Sequence, residues 1–209
     1  LAEEMGLIGT LGDWCLREAC QQMIEFQGKG LDLPKVSVNV SALQFNQTFI
    51  ARVGEVLKET ALRPSRLELE LTEGIMMDDT QGTINALNQL KDLGVSLSID
   101  DFGTGYSSLS YLSRFPLDEL KIDRSFVIEF DKTEADASLI IAIIAMGRSL
   151  KLQLVAEGVE TDAQYNFLTN HGARIIQGYL FSPPVPAAEL VSMLNPGHFK
   201  EQISQIGPG

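Results

Sequence analysis

The stretch Ser98-Ile99-Asp100-Asp101-Phe102-Gly103-Thr104-Gly105-Tyr106-Ser107-Ser108-Leu109 decides how the rest of the chain is read. It continues an alternating run in which Val95, Leu97 and Ile99 point one way and Ser96, Ser98 and Asp100 the other, the two-residue period of a strand. The run ends on two adjacent carboxylates, Asp100 and Asp101, followed at once by Phe102, Gly103 and Gly105 and a Ser107-Ser108 helix start. Packing gives no reason to set two acids side by side at a strand end, whereas a divalent cation that bridges two sites does. Taken alone, the same residues also fit a solvated turn with an Asx cap.

Outward from this stretch the pattern repeats. Strand-like runs near 35–41, 66–72, 95–101, 118–123, 152–157 and 174–177 alternate with longer segments whose apolar residues recur at helical spacing. Ile84, Leu87, Leu90 and Leu93 form one such stripe, closed by Gly94 as a left-handed cap. Thr161 reads as the N-cap of a helix that Gly172 closes, and a last short helix falls near 187–194. Repeated βα units predict a parallel sheet. The strands nevertheless alternate: Val36, Val38 and Val40 oppose Ser37, Asn39 and Ser41, while Leu67, Leu69 and Leu71 oppose Glu68, Glu70 and Thr72. Leu120 and Ile122 likewise oppose Glu119, Lys121 and Asp123. Open parallel sheets covered by helices on both faces read as continuous apolar runs instead. A (β/α) barrel fits the alternation, with one side of each strand under helices and the other lining the barrel, and it carries its active site at the strand C-termini. The predicted fold class is α/β, a TIM-like (β/α) barrel.

Composition narrows the chemistry. With 209 residues and 44% hydrophobic content the chain can bury one sizeable core. The longest apolar run, 139–146, falls short of the ~18 residues a membrane span needs, so no membrane contact is expected of this domain. A net charge of −12 argues against a nucleic-acid polymer, but not against a small phosphate ligand whose charge metal ions offset. Cys15 and Cys20 lie about 140° apart on one helix and cannot pair, which reads as a cytoplasmic chain with free thiols. His171 and His198 stand at no zinc-ligand spacing, and a Ser-His-Asp triad is equally disfavoured. Trp14 falls in a helical stripe and reads as core, which speaks against a glycosidase that needs stacking aromatics.

The polar residues near the strand C-termini are Asn39, Glu70, Asp100 with Asp101, Lys121 with Asp123, Glu157 and Gln177, and a barrel is expected to gather them at one mouth. Two carboxylates 4 Å apart repel by about 4 kcal/mol at an effective dielectric of ~20. Mg²⁺ or Mn²⁺, which take carboxylate, amide and water oxygens, relieve that repulsion.

These residues carry a family resemblance. The segments Val36-Ser37-Val38-Asn39-Val40-Ser41-Ala42, Leu67-Glu68-Leu69-Glu70-Leu71-Thr72-Glu73 and Leu120-Lys121-Ile122-Asp123 resemble those of EAL domains, phosphodiesterases that linearise cyclic di-GMP in bacterial signalling. So do the Asp100-Asp101 stretch, Ala156-Glu157-Gly158-Val159-Glu160, Gln177-Gly178-Tyr179-Leu180-Phe181 and the opening Ala2-Glu3-Glu4-Met5-Gly6-Leu7-Ile8. The resemblance implies two Mg²⁺ or Mn²⁺ ions held by Asn39, Glu70, Asp100 and Asp101, with Asp123 as a further ligand or a partner of Lys121. It implies catalytic roles for Glu157 and Lys121, substrate contacts from Gln177, Glu160 and Lys121, and a mobile loop at Gly103 and Gly105 anchored by Glu73. Gly74 stands where the family usually has Ser. The family's Glu-Ala-Leu, with a metal-binding Glu, and a phosphate-binding Arg are absent, so six of its eight strands are expected here and the first two upstream of residue 1. Residues 1–209 then form one N-terminally incomplete EAL-type domain of a longer protein, with a sensor or diguanylate-cyclase-like domain upstream. The expected activity is hydrolysis of cyclic di-GMP to linear pGpG; the alternative is a catalytically impaired module that senses the nucleotide. A homodimer is compatible with either.

Overall fold

Several helices start or stop where a local signal places them. The computed structural model describes residues 2–76, 80–103, 112–130 and 134–194. Helix α1 (Ile8–Gly28) buries Gly12, Leu16, Cys20, Met23 and Phe26, spaced three or four residues apart on one face. Trp14 lies two residues from Leu16, about 200° around the helix at ~100° per residue, and is 59% exposed. That corrects the expectation of a core tryptophan. In α2 (Gln47–Thr60) the Asn46 side chain accepts from the Phe49 N–H at 3.1 Å. Helix α3 (Thr80–Leu93) ends at Gly94, whose φ of 93° is the left-handed cap the sequence predicts. Farther along come α4 (Arg124–Glu129) and α5 (Glu134–Ser149), then α6 (Asp162–His171) and α7 (Ala187–Met193). Thr161 and Gln164 form a reciprocal capping box at the start of α6, and Gly172 closes it at φ 102°.

The strands are β1 (Val36–Val40), β2 (Leu67–Thr72), β3 (Ser96–Phe102), β4 (Glu119–Ile122), β5 (Gln153–Ala156) and β6 (Ile175–Ile176). They follow one another across a six-stranded parallel sheet in chain order. Sequential order with helical crossovers is the arrangement that βα repeats impose. The chain divides into two compact units, Leu1–Glu119 and Leu120–Gly209.

In the first unit, Leu67, Leu69 and Leu71 of β2 are fully buried, as are Leu97 and Ile99 of β3. The opposite face of β2 is buried too, although Glu68 and Glu70 occupy it, while Ser37 and Asn39 on β1 are exposed. Asp118 fixes the entry to β3: its carboxylate accepts from the Leu97 N–H at 2.8 Å and from Lys91 Nζ at 2.6 Å. In the second unit, Leu120 and Ile122 of β4 are buried with Ile140, Ile143 and Ile144 of α5 and Leu154 and Val155 of β5. Cys15 and Cys20 are free thiols, and burial pushes the Cys20 pKa up to about 11, which leaves it an inert packing group. No helix among the described residues is long and apolar enough to cross a membrane.

Candidate functional site

Strand register organises the polar residues of the first unit. Asn39 of β1 stands opposite Glu70 of β2, Glu70 opposite Ser98 of β3, and Thr72 opposite Asp100. Paired residues of parallel strands share a face, and so do residues two apart on one strand. Asn39, Glu70, Ser98 and Asp100 therefore lie on one face toward the strand C-termini. Glu70 is buried, whereas Asp100 is half-buried and Asp101 and Asn39 are exposed. The Ser98 hydroxyl is wholly buried and finds no hydrogen-bond partner among the described residues.

Backbone conformation sets Asp101 apart. Its φ of 54° is left-handed, a region that costs most side chains but that Asp tolerates. It breaks the alternation that would send neighbouring side chains to opposite faces, so the adjacent acids need not point apart. Gly103 follows at φ 100°, where a glycine meets no penalty. Glu73 is buried in a short 3₁₀ turn, Glu73–Met76, directly after β2. Gly105 and the Ser107-Ser108 helix start lie outside the described residues.

In the second unit side chains meet directly. Lys121 Nζ and a Glu157 carboxylate oxygen are 2.6 Å apart, with the two side chains only 6% and 17% exposed. The Glu157 N–H donates to the Ile122 carbonyl at 3.1 Å, which fixes the residue beside the end of β4. Asp123 caps α4, accepting from the Ser125 N–H at 3.0 Å and from the Ser125 hydroxyl. Glu160 pairs with Arg124 at 2.6 Å, and its N–H is held by Gln164 Oε1 at 2.7 Å. Gln177 is seated by its backbone: its N–H donates to Ala156 O at 2.8 Å and its carbonyl accepts from Val159 N at 3.1 Å. Gly178 lets the chain pass, because a Cβ there would sit 2.1 Å from the Val159 carbonyl oxygen.

The sequence reading missed a further cluster at the N-terminal end of the strands in the first unit. Lys35 Nζ bridges Glu68 and Glu119, each at 2.6 Å, and the Ser37 hydroxyl donates to the other Glu68 oxygen at 2.7 Å. The Glu68 and Glu119 side chains are 1% and 3% exposed. Burial works against the Lys35 charge, but its hydrogen bonds to Glu119 and Glu68 outweigh burial and raise its pKa above the ordinary lysine value. The available signal was a Glu on the polar face of two strands and a Lys just before a third.

The donor set Asn39, Glu70, Asp100 and Asp101 is all oxygen, the chemistry of a hard cation such as Mg²⁺ or Mn²⁺. The buried Ser98 hydroxyl on the same face adds a polar group suited to a hydrated ion. Among the described residues no three His, Cys, Asp or Glu side chains cluster closely enough to hold a metal by themselves.

Comparison with known proteins identifies this pattern. The chain is 48% identical over 193 residues to the bifunctional diguanylate cyclase/cyclic di-GMP phosphodiesterase MucR of Pseudomonas aeruginosa, covering 92% of this chain and 28% of that one. It spans about a quarter of the length of the curated relatives it matches. Its fold superposes on the PaMucR phosphodiesterase in complex with c-di-GMP with a TM-score of 0.87 at 48% identity, covering 90% of this chain and 77% of that one. A manganese/cy-diGMP complex of Klebsiella pneumoniae BlrP1 matches with a TM-score of 0.75 at 26% identity, covering 84% of this chain and 44% of that one. EAL domains are TIM-like barrels, in keeping with the parallel βα order seen here. The EAL domain family model matches residues 1–184, and with its motifs, fold and relatives in agreement the chain belongs to the EAL domain family.

Proposed function

We propose that this chain is the phosphodiesterase domain of a longer signalling protein and hydrolyses cyclic di-GMP to linear pGpG. The observation that supports the reading most is the register that sets Asn39, Glu70 and Asp100 on one face of three adjacent parallel strands. Asn39, Glu70, Asp100 and Asp101 would hold two Mg²⁺ or Mn²⁺ ions, with Asp123 a further donor beyond its capping role. When bound, such ions lower the pKa of water and neutralise charge on phosphate oxygens. Glu157 takes the proton of the attacking water, and Lys121 orients the Glu157 carboxylate and donates to a non-bridging phosphate oxygen. Water adds to one phosphorus as its bond to the ribose 3′-oxygen breaks, and that oxygen leaves with a proton. Gln177 and Glu160 contact the substrate, and Glu73 steadies the backbone at Gly103.

A second reading, a module that binds cyclic di-GMP without cleaving it, is favoured by one observation. The described residues form no cluster of three metal-binding acids, His or Cys. Incubating the full chain with cyclic di-GMP and Mn²⁺, against an EDTA control, separates the two. Mn²⁺-dependent appearance of pGpG supports the enzyme; binding of the nucleotide without turnover supports the sensor.

A further inference from the structure

Glu68 lies one layer beneath Glu70 on β2, Lys35 directly precedes β1, which carries Asn39, and Glu119 opens β4, which carries Lys121. Ser37 precedes Asn39 by two residues, Glu68 precedes Glu70 by two, and Glu119 precedes Lys121 by two. Two residues along a strand return to the same face about 6.6 Å farther on. Ser37 and Glu68 are themselves register partners, as Asn39 and Glu70 are. Each strand that contributes to the lower layer therefore carries a proposed functional group in the layer above.

The lower layer is closed by directional contacts from both ends. One ammonium touches both carboxylates at 2.6 Å, and the Ser37 hydroxyl occupies the second Glu68 oxygen at 2.7 Å. Buried carboxylates so placed repel unless a cation lies between them, and the Lys35 ammonium supplies one to both Glu68 and Glu119. Slippage or splaying of β1 against β2 would break the Ser37 and Lys35 contacts together. The raised pKa of Lys35 agrees with a cation held firmly by both acids.

We propose that Lys35, Glu68 and Glu119, with Ser37, form a positioning network that sets the spacing of Asn39 and Glu70 and thereby tunes divalent-cation affinity. None of the four touches the ion or the substrate; they act through the strands. The proposal rests on reading Asn39 and Glu70 as metal ligands.

Mn²⁺ binding to the full chain, measured by titration calorimetry, tests it without recourse to turnover. Lys35→Met should weaken Mn²⁺ affinity by about tenfold or more, the range seen when groups behind metal ligands are removed. Lys35→Arg, which keeps a cation able to reach both acids, should restore affinity to within about threefold of the parent. Ser37→Ala keeps every charge and should weaken binding by about two- to threefold, and it decides the matter should Lys35→Met fail to fold. A folded Lys35→Met that binds Mn²⁺ as the parent does overturns the proposal. So does a Lys35→Arg no better than Lys35→Met, or, where Lys35→Met does not fold, a Ser37→Ala with parental affinity. A parent chain that binds no Mn²⁺ overturns the metal-ligand reading itself, and the network's role with it.

Discussion

Glu70 and Glu157 are both carboxylates near strand ends, yet one lies within a strand and the other just beyond one. Glu70 is buried within β2, and strand register sets it opposite Asn39 and Ser98. Glu157 follows β5; its N–H donates to the Ile122 carbonyl at 3.1 Å, and its carboxylate meets the Lys121 ammonium at 2.6 Å. Register specifies position through backbone hydrogen bonds that survive a change of side chain; an ion pair does not. Substitution at Glu70 should thus change what the site binds while its geometry persists. Substitution at Glu157 should change both the chemistry and the setting of Lys121.

Perturbations of the two regions can break that comparison or sharpen it. Chelation of divalent ions should have the largest effect, abolishing pGpG formation, with recovery on adding Mn²⁺; undiminished turnover in EDTA would remove the metal role from the first unit. Glu157→Ala should lower kcat by about 10²- to 10⁴-fold with substrate affinity largely kept, read from steady-state rates and nucleotide binding. Glu70→Gln exchanges a charged oxygen donor for a neutral one and should weaken Mn²⁺ binding by about tenfold or more, with activity partly recovered at high Mn²⁺. If excess metal restores Glu157→Ala as well, the two carboxylates do the same work and the contrast falls. Gly178→Ala should destabilise the second unit by about 1–3 kcal/mol, since the new Cβ meets a backbone carbonyl that cannot move cheaply. Thermal unfolding measures that loss. Thr161→Ala, which takes away one cap of α6, should cost about 1 kcal/mol and leave the catalytic constants unchanged.

The sequence was most legible where one local rule acts alone. Alternation in 36–41 and 67–72 placed Asn39 and Glu70 on polar strand faces, because a strand's period allows no other choice. Gly94, Thr161 and Gly172 marked helix ends for reasons that need no tertiary partner. Trp14 misled because a wide apolar stripe on α1 does not say which edge faces inward; Leu16 and Cys20 took the core. The Lys35 bridge escaped notice because its carboxylates are 33 and 84 residues away, and nothing local announces such a meeting. Asp123 was legible as an acid at a strand end, and Glu160 only through the family resemblance. Their contacts with Ser125 and Arg124 depend on how the chain turns after each strand.

The left-handed backbone at Asp101 constrains how this lineage can change. At φ 54° Asp, Asn and Gly are the residues that fit with little strain, so drift at that position is channelled toward a short alphabet. An Asp codon becomes an Asn codon by a single transition. Such a change would remove one charge yet keep a residue that tolerates the left-handed backbone near the end of β3. If the proposed role of Asp101 holds, a one-step change there would alter the charge available for metal while the left-handed backbone stays accessible to the new residue.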